Sequence, residues 1–242
     1  MLTVMKLAPL AAIVLAFTAT PALADAITFD SSDVGTTYSL NYDGFSDSTT
    51  VSGLTAQTSF TLTGIAGNTY TFDYAVSNTS GAPITGSRVS GFAFDTNPDI
   101  TSAASNGAFS YTTVGGSYPN GIGEVDVCFK DAATGACAGG GSGGLNIGES
   151  GTGTFILTFA QPVSEVTLSD FYVRYQSISG AGNITSATGS GTQTSSTSTT
   201  TGGTEVPEPG MLGLLGGALI ATALLRRRRR RRENGAAVPA FA

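Results

Sequence analysis

The sequence predicts an all-β protein: one antiparallel β-sandwich or jelly-roll-like domain, with helices confined to an N-terminal signal segment and a C-terminal transmembrane segment. Three observations carry that expectation. Apolar and polar residues alternate with period two through the middle of the chain, turn residues recur between the alternating runs, and no stretch outside the two ends has helical period. A low charge content with abundant Thr, Ser and Gly suits an exported β-protein better than a cytoplasmic enzyme. A closed barrel is the competing architecture.

The chain opens with Lys6, an apolar stretch over Leu7–Phe17, and Pro21-Ala22-Leu23-Ala24. The small residues Ala22 and Ala24 form an Ala-x-Ala site, so residues 1–24 read as a secretory signal peptide cleaved before Asp25. That reading brings in the Sec translocon and signal peptidase; an uncleaved membrane helix is the other reading.

Residues 25–185 are the expected β-domain. In Thr69–Ser77, Tyr70, Phe72, Tyr74 and Val76 share one face and Thr69, Thr71, Asp73 and Ser77 the other, as in a half-buried strand. Gly123–Phe129 sets Val125, Val127 and Phe129 opposite Glu124, Asp126 and Cys128, and Thr154–Ala160 aligns Phe155, Leu157 and Phe159. Val166–Tyr175 reads as a long strand with an irregularity near Ser169-Asp170. Shorter candidates are Ala26–Asp30, Thr36–Tyr42, Thr49–Leu54, Ser59–Thr63, Arg88–Asp95 and Ala108–Val114, with turns at Asp43-Gly44, Ala66-Gly67-Asn68, Asn78–Gly81, Asn106-Gly107, Gly115-Gly116 and Pro119-Asn120-Gly121. Residues 186–204 are almost all Ser, Thr and Gly, with no large apolar side chain, and are expected to be a flexible spacer.

The end of the chain has three parts. Val206-Pro207-Glu208-Pro209-Gly210 leads into the uncharged run Met211–Leu225, and seven arginines follow: Arg226, Arg227, Arg228, Arg229, Arg230, Arg231 and Arg232. As a helix the apolar run is about 22 Å long, short for a hydrocarbon core of about 30 Å. The arginines hold their end on the cytoplasmic side, so everything before Pro207 faces outward. A short span of this kind suits a segment held transiently in the membrane and then cut; a permanent tail anchor is the plainer alternative. Residues 233–242 are expected to be an unstructured tail.

These three parts in order resemble the PEP-CTERM sorting signal of Gram-negative bacteria, over about Val206–Arg232. The resemblance implies recognition and cleavage near the Pro-Glu-Pro box by an exosortase, a membrane cysteine transpeptidase, with delivery to the cell surface or to the extracellular polysaccharide of a biofilm. This chain departs from the pattern in carrying Glu233–Ala242 after its arginines. Three further segments, Gly91–Pro98, the Cys128–Cys137 loop with its glycines, and Asp170–Ser177, resemble the cistern family within that group. That likeness implies no activity.

Charge and composition exclude several function classes. Of the 11 basic residues only Arg88, Lys130 and Arg174 lie in Asp25–Thr204, against fourteen carboxylates, which leaves that part at −11. Such a domain repels nucleic acid and anionic lipid. The chain has no histidine, so Ser-His-Asp and Cys-His catalysis and histidine-based metal sites are ruled out. It has no tryptophan either, which weakens a stacked-aromatic sugar platform. No cofactor is expected.

Cys128 and Cys137 are the only cysteines, and in an oxidising compartment an even pair reads as a disulfide. Closing so short a loop stabilises by about 2.5–3 kcal/mol in the loop-entropy account. It would fasten the glycine-rich run Gly139–Gly144, which is costly to order and lacks the Gly-Lys-Ser/Thr of a phosphate loop. Glu124 and Asp126 fall on one strand face about 6.5–7 Å apart, a separation that serves glycoside hydrolysis. The third acid of laminarinase-like motifs is missing, since Cys128 and Phe129 stand there, and solvent-facing acids are the plainer reading. Asp95, Asn97 and Asp99 alternate like ligands of a calcium loop, but Ile100 replaces the loop glycine, and Pro98 suits a simple turn. Arg174 reads as a strand-face charge. Asn78 and Asn183 sit in glycosylation-type triplets.

The expected protein is therefore non-enzymatic: an exported surface or exopolysaccharide-associated protein. A carbohydrate- or calcium-binding module is the second reading, and a secreted glycosidase the third.

Overall fold

The computed structural model describes residues 25–198, and they form the expected all-β domain. Its strands are β1 (Ile27–Asp30), β2 (Thr36–Ser46), β3 (Thr49–Ala66), β4 (Thr69–Asn78), β5 (Gly86–Asn97), β6 (Ile100–Ser105), β7 (Tyr111–Tyr118), β8 (Gly123–Lys130), β9 (Leu145–Asn146), β10 (Ser150–Phe159), β11 (Glu165–Ser179) and β12 (Ser186–Ser198). The helices among the described residues are single 3-10 turns at Ser31–Asp33, Gly107–Phe109 and Ala136–Ala138, none long or apolar enough to cross a membrane.

One antiparallel sheet runs in the order β6-β10-β4-β3-β2-β12-β11-β5-β8-β7, with β1 added to β11 and β9 to β5. It folds over into a sandwich that approaches a closed barrel, so both architectures expected from the alternation are partly right. The two halves meet through aromatic rings: Phe60 on β3 lies 5.6 Å from Phe92 on β5, and Phe155 on β10 lies 4.9 Å from Phe129 on β8. Tyr70, Phe72, Tyr74 and Val76 of β4 and Phe155, Leu157 and Phe159 of β10 all point into this core, as their spacing predicts. Around them Phe60 also meets Phe155 edge-on and Phe72 stacks on Phe155, and such pairs add to the burial of their area.

Local chemistry sets the connections. Asp47 and Ser48, with left-handed φ of 46° and 63°, close the β2–β3 hairpin as the two-residue turn that twisted strands favour. Gly67 at φ 62° does the same between β3 and β4. The β2–β3 turn is thus not at Asp43-Gly44, which lies inside β2 where the register shifts. The two strands expected at Thr49–Leu54 and Ser59–Thr63 are one strand, β3. The irregularity foreseen in β11 is present: Asp170 has φ 51°, and the pairing with β5 slips between Ser169 and Tyr172. One edge of β11 is shared there. β1 covers Glu165–Leu168, and β12 takes over at Tyr172–Gln176.

The largest correction concerns residues 186–204. Through Ser198 they are not a spacer but strand β12, hydrogen-bonded to β11 on one side and β2 on the other. The remaining residues, 199–204, lie outside the described part. A strand needs no bulk of its own when its neighbours provide it. A side chain at Gly189 would meet Val173 Cγ2 at 2.8 Å and Tyr175 Cε2 at 2.9 Å, and one at Gly191 would meet Tyr42 Cε1 at 2.8 Å. The glycines make room for three large rings, Tyr42, Phe171 and Tyr175, rather than for flexibility.

Gly189→Val should therefore lower stability by about 1–3 kcal/mol, the cost of overpacking a filled core. The urea midpoint of the exported protein measures it; an unchanged midpoint would mean that the segment is a spacer after all.

Candidate functional site

The residues expected to direct sorting and processing, Val206–Gly210, Arg226–Arg232, Ala22 and Ala24, lie outside the described residues. Asp25, the expected first residue of the mature chain, is described: its Oδ2 accepts from the amide of Gln193 on β12. The start of the domain is thus fastened to its last strand.

The other candidate residues collect on the side of β5, β8 and β11 that faces away from the main core. Strand alternation puts Cys128 on that side, with Glu124 and Asp126, and two loops fold over it. Cys128 at the end of β8 is bonded to Cys137 in the 3-10 turn, with Cα atoms 5.6 Å apart. Both cysteines are buried and pack with Ala93, Tyr118 and Val125 as a second, smaller core. The expected disulfide is present.

A second fastener holds the same loop. Arg88 on β5 and Asp131, inside the disulfide loop, form a salt bridge of 2.9 Å with side chains only 7% and 2% exposed. Arg88 also donates to the carbonyls of Gly143 (2.7 Å) and Gly140 and to Gln176 Oε1, and the other carboxylate oxygen of Asp131 accepts from the amide of Gly140 at 3.0 Å. The bare backbone of Gly139–Gly144 is therefore wrapped around one guanidinium. A buried ion pair is sustained when its remaining donors and acceptors are satisfied, and here the glycine carbonyls do that. Sequence reading singled out the cysteines and the glycines but not Arg88. Its signal was present in the scarcity of basic residues.

Asp126 is not a solvent-facing acid. Its Oδ2 accepts from the Thr96 amide at 2.7 Å and from Thr96 Oγ1 at 3.3 Å, while the Asp126 amide donates to Asp95 Oδ1 at 3.0 Å. These bonds staple β5 to β8. Burial pushes the Asp95 carboxyl above its ordinary range; the Asp126 amide pulls it back, and the carboxylates of Asp126 and Asp170 push further upward. Glu124 is exposed and stands apart from this staple. Asn97 and Asp99 are also exposed, on either side of the cis peptide between Asn97 and Pro98. Among the described residues no group of three or more His, Cys, Asp or Glu side chains is placed to hold a metal ion.

Arg174 departs from its expected place in solvent. It is buried on β11, and its Nη1 donates to the Ala187 carbonyl of β12 at 3.0 Å. Burial lowers the pKa of its guanidinium, and the neighbouring Tyr118 hydroxyl opposes that. The end of β7 and the turn after it cover this face, with the Tyr118 ring tilted against Tyr172 at 5.6 Å. The two glycosylation-type triplets also part ways. Asn78 is buried and donates to the Leu145 carbonyl at 3.0 Å, whereas Asn183 is exposed in the turn before β12.

The exposed aromatic platform that a sugar-binding face would need is not formed by the described residues. Their exposed large apolar side chains are Val34, Tyr111, Val114 and Ile156, and the other rings serve the cores or are partly covered.

Comparison with known families gives one result. The model of the PEP-CTERM protein-sorting motif matches residues 205–231, which takes in the Pro-Glu-Pro box, the apolar run and all but one of the arginines. The match does not extend to the segments that resemble the cistern family. Neither a curated protein nor a solved structure matches the chain. A disulfide-fastened β-domain followed by such a tail defines a class, the exported proteins that carry their own sorting signal. The chain carries a PEP-CTERM protein-sorting motif, which marks it as an exported, membrane-anchored precursor processed by an exosortase.

Removing the fasteners should have unequal effects. Replacing both cysteines by serine should cost about 2–3 kcal/mol. Arg88→Met should cost about 3–5 kcal/mol, because Asp131 is left buried and uncompensated, and Asp131→Leu in the same chain should restore most of the loss. Chemical denaturation of the three variants beside the parent checks the order.

Proposed function

We propose that this chain is a non-enzymatic protein of the Gram-negative cell surface or extracellular matrix, released by exosortase cleavage near Pro207-Glu208-Pro209 and retained with exopolysaccharide. The observation that carries the reading is the sorting motif at residues 205–231 behind a domain fastened by a disulfide. The fastening suits an oxidising compartment. The net −11 of Asp25–Thr204 argues for partners other than nucleic acid or anionic lipid.

The lack of histidine, the stapled Asp126 and the isolated Glu124 favour a binding or structural role over hydrolysis. The finer resemblance to the cistern family belongs to the same proposal. Sec export and signal-peptidase cleavage before Asp25 are part of it, and the apolar run Met211–Leu225 is taken as a transient membrane helix.

One observation favours a binding module as the second reading. On the outer face of β12, β2, β3 and β4, a shallow groove of about 360 Å³ is lined by Ser39, Asn41, Gln57, Ser59, Ser77 and Thr194. Hydroxyl and amide groups of this kind both donate and accept, as a neutral glycan requires.

Mass spectrometry of protein recovered from the cell surface should find peptides of the β-domain and none spanning Arg226–Arg232. Replacing Pro207, Glu208 and Pro209 by alanine should leave the tail attached. Surface protein with an intact tail would refute the processing. Loss of binding to purified exopolysaccharide in a Gln57→Ala/Ser59→Ala variant would select the groove as the contact.

A further inference from the structure

Strand β12 changes character along its length. Its first part, Ser186–Ser190, is bonded to β11, and Ala187, Thr188 and Gly189 there are buried. β11 then gives that edge to another partner, because its Glu165–Leu168 pairs with β1. Among the described residues, Thr192–Ser198 has backbone-to-backbone hydrogen bonds with β2 alone.

The chemistry of this second part matches its one-sided pairing. It reads TQTSSTS, without an apolar residue, and every residue but the partly covered Gln193 is exposed. Beyond the ladder to β2 it is held by polar side-chain bonds. Thr36 Oγ1 and Ser198 Oγ lie 3.2 Å apart, Thr194 Oγ1 donates to the Ser39 carbonyl at 3.2 Å, and the Gln193 amide donates to Asp25 Oδ2. Burial of apolar area is the dominant force that fastens a strand to a core, and a segment without it opens at the low end of the local free-energy scale. The earlier part is fastened differently, since Tyr42, Phe171, Val173 and Tyr175 pack against Gly189 and Gly191.

Reach gives this difference a use. Residues 199–204 are all that separate the strand from the matched motif. At about 3.5 Å per residue they span at most about 20 Å. A domain of this size has a radius of gyration of about 16 Å, so a membrane enzyme working near Pro207 must fit almost against its surface. Freeing Thr192–Ser198 adds about 25 Å of reach. We infer that the second part of β12 is a releasable strap: it peels from β2 while Gly189 and Gly191 stay packed against the rings, and so lengthens the tether that carries the Pro-Glu-Pro box to its enzyme. After the cut the strap pairs with β2 again, and the released domain keeps its whole sheet. The purpose of the strap rests on the processing reading; its opening rests on the pairing alone.

Amide exchange on the exported protein tests the opening. The amides of Thr192–Ser198 bonded to β2 should exchange about a hundredfold faster than those of Ala187–Gly189, with β3 and β11 still protected. Exchange of both parts of β12 together, on global unfolding only, overturns the inference. A clamp tests the purpose. Thr36→Cys/Ser198→Cys puts two thiols at directly paired positions. With that disulfide formed, the melting temperature should be no lower, and the chain should keep its tail in cells that process the parent. Either cysteine variant alone should be processed as the parent is. A clamped chain that loses its tail at the parent's rate also overturns the inference. If the clamped chain fails to fold, exchange in the parent decides. A parent that keeps its own tail refutes the processing reading instead, and exchange still decides whether the strap opens.

Discussion

The fold depends on β12 being held along both of its edges. Among the described residues, β12 is the strand through which the sheet path passes from the half built from β6, β10, β4, β3 and β2 to the half built from β11, β5, β8 and β7. Without it, β2 and β11 would each expose an edge, and Tyr42, Phe171 and Tyr175 would lose the glycine backbone packed against them. The strand contributes little side-chain volume. It contributes a ladder of backbone bonds on each side and a surface thin enough for rings to lie across. Glycine in a strand interior ordinarily weakens the strand, yet it marks a close approach by other groups, and here that approach is the means of joining the two halves.

The outer side of the β5–β8–β11 sheet shows how an acidic domain places its few cations. Both arginines of the described residues are buried, and each is answered by backbone carbonyls more than by carboxylates. Arg88 holds the glycine loop through the carbonyls of Gly140 and Gly143 in addition to Asp131, and Arg174 holds β12 through Ala187. Carbonyls without side chains around them can converge on one guanidinium, which gives the run Gly139–Gly144 a physical purpose that a phosphate-loop reading does not. The disulfide and the Arg88–Asp131 pair act on the same segment from its two ends. The smaller core of Ala93, Tyr118, Val125 and the cystine is thereby sealed from water.

Much of this was legible in the residues, for a reason that can be stated residue by residue. Period-two alternation reports which side of a strand meets an apolar core, and β4, β8 and β10 carry it because one face of each packs on that core and the other meets solvent or a loop. The Asn68 turn and the slip at Asp170 were legible because Gly67 and the acid pair their types with particular backbone angles. β12 was not legible, since its burial is supplied by Tyr42, Phe171 and Tyr175 from other strands, and no property of Ser, Thr or Gly announces it. Asp126 and Arg174 were misplaced for a related reason. Asp126 is held by Thr96 of the neighbouring β5 and Arg174 by Ala187 of β12, and which strand lies beside which is a tertiary fact that alternation does not report.

The position of β12 also bears on processing. Its last residue, Ser198, precedes the matched motif at residue 205, so every strand of the domain lies upstream of the Pro-Glu-Pro box. A cut near Pro207 leaves in place every strand, both cores and both fasteners of the described residues. The same order acts during export. Because the two halves are joined through β12, the sheet cannot close until residue 198 has reached the outer side, by which point only a few residues remain before the box. Folding of the domain and presentation of its sorting signal are thus nearly simultaneous events along the chain.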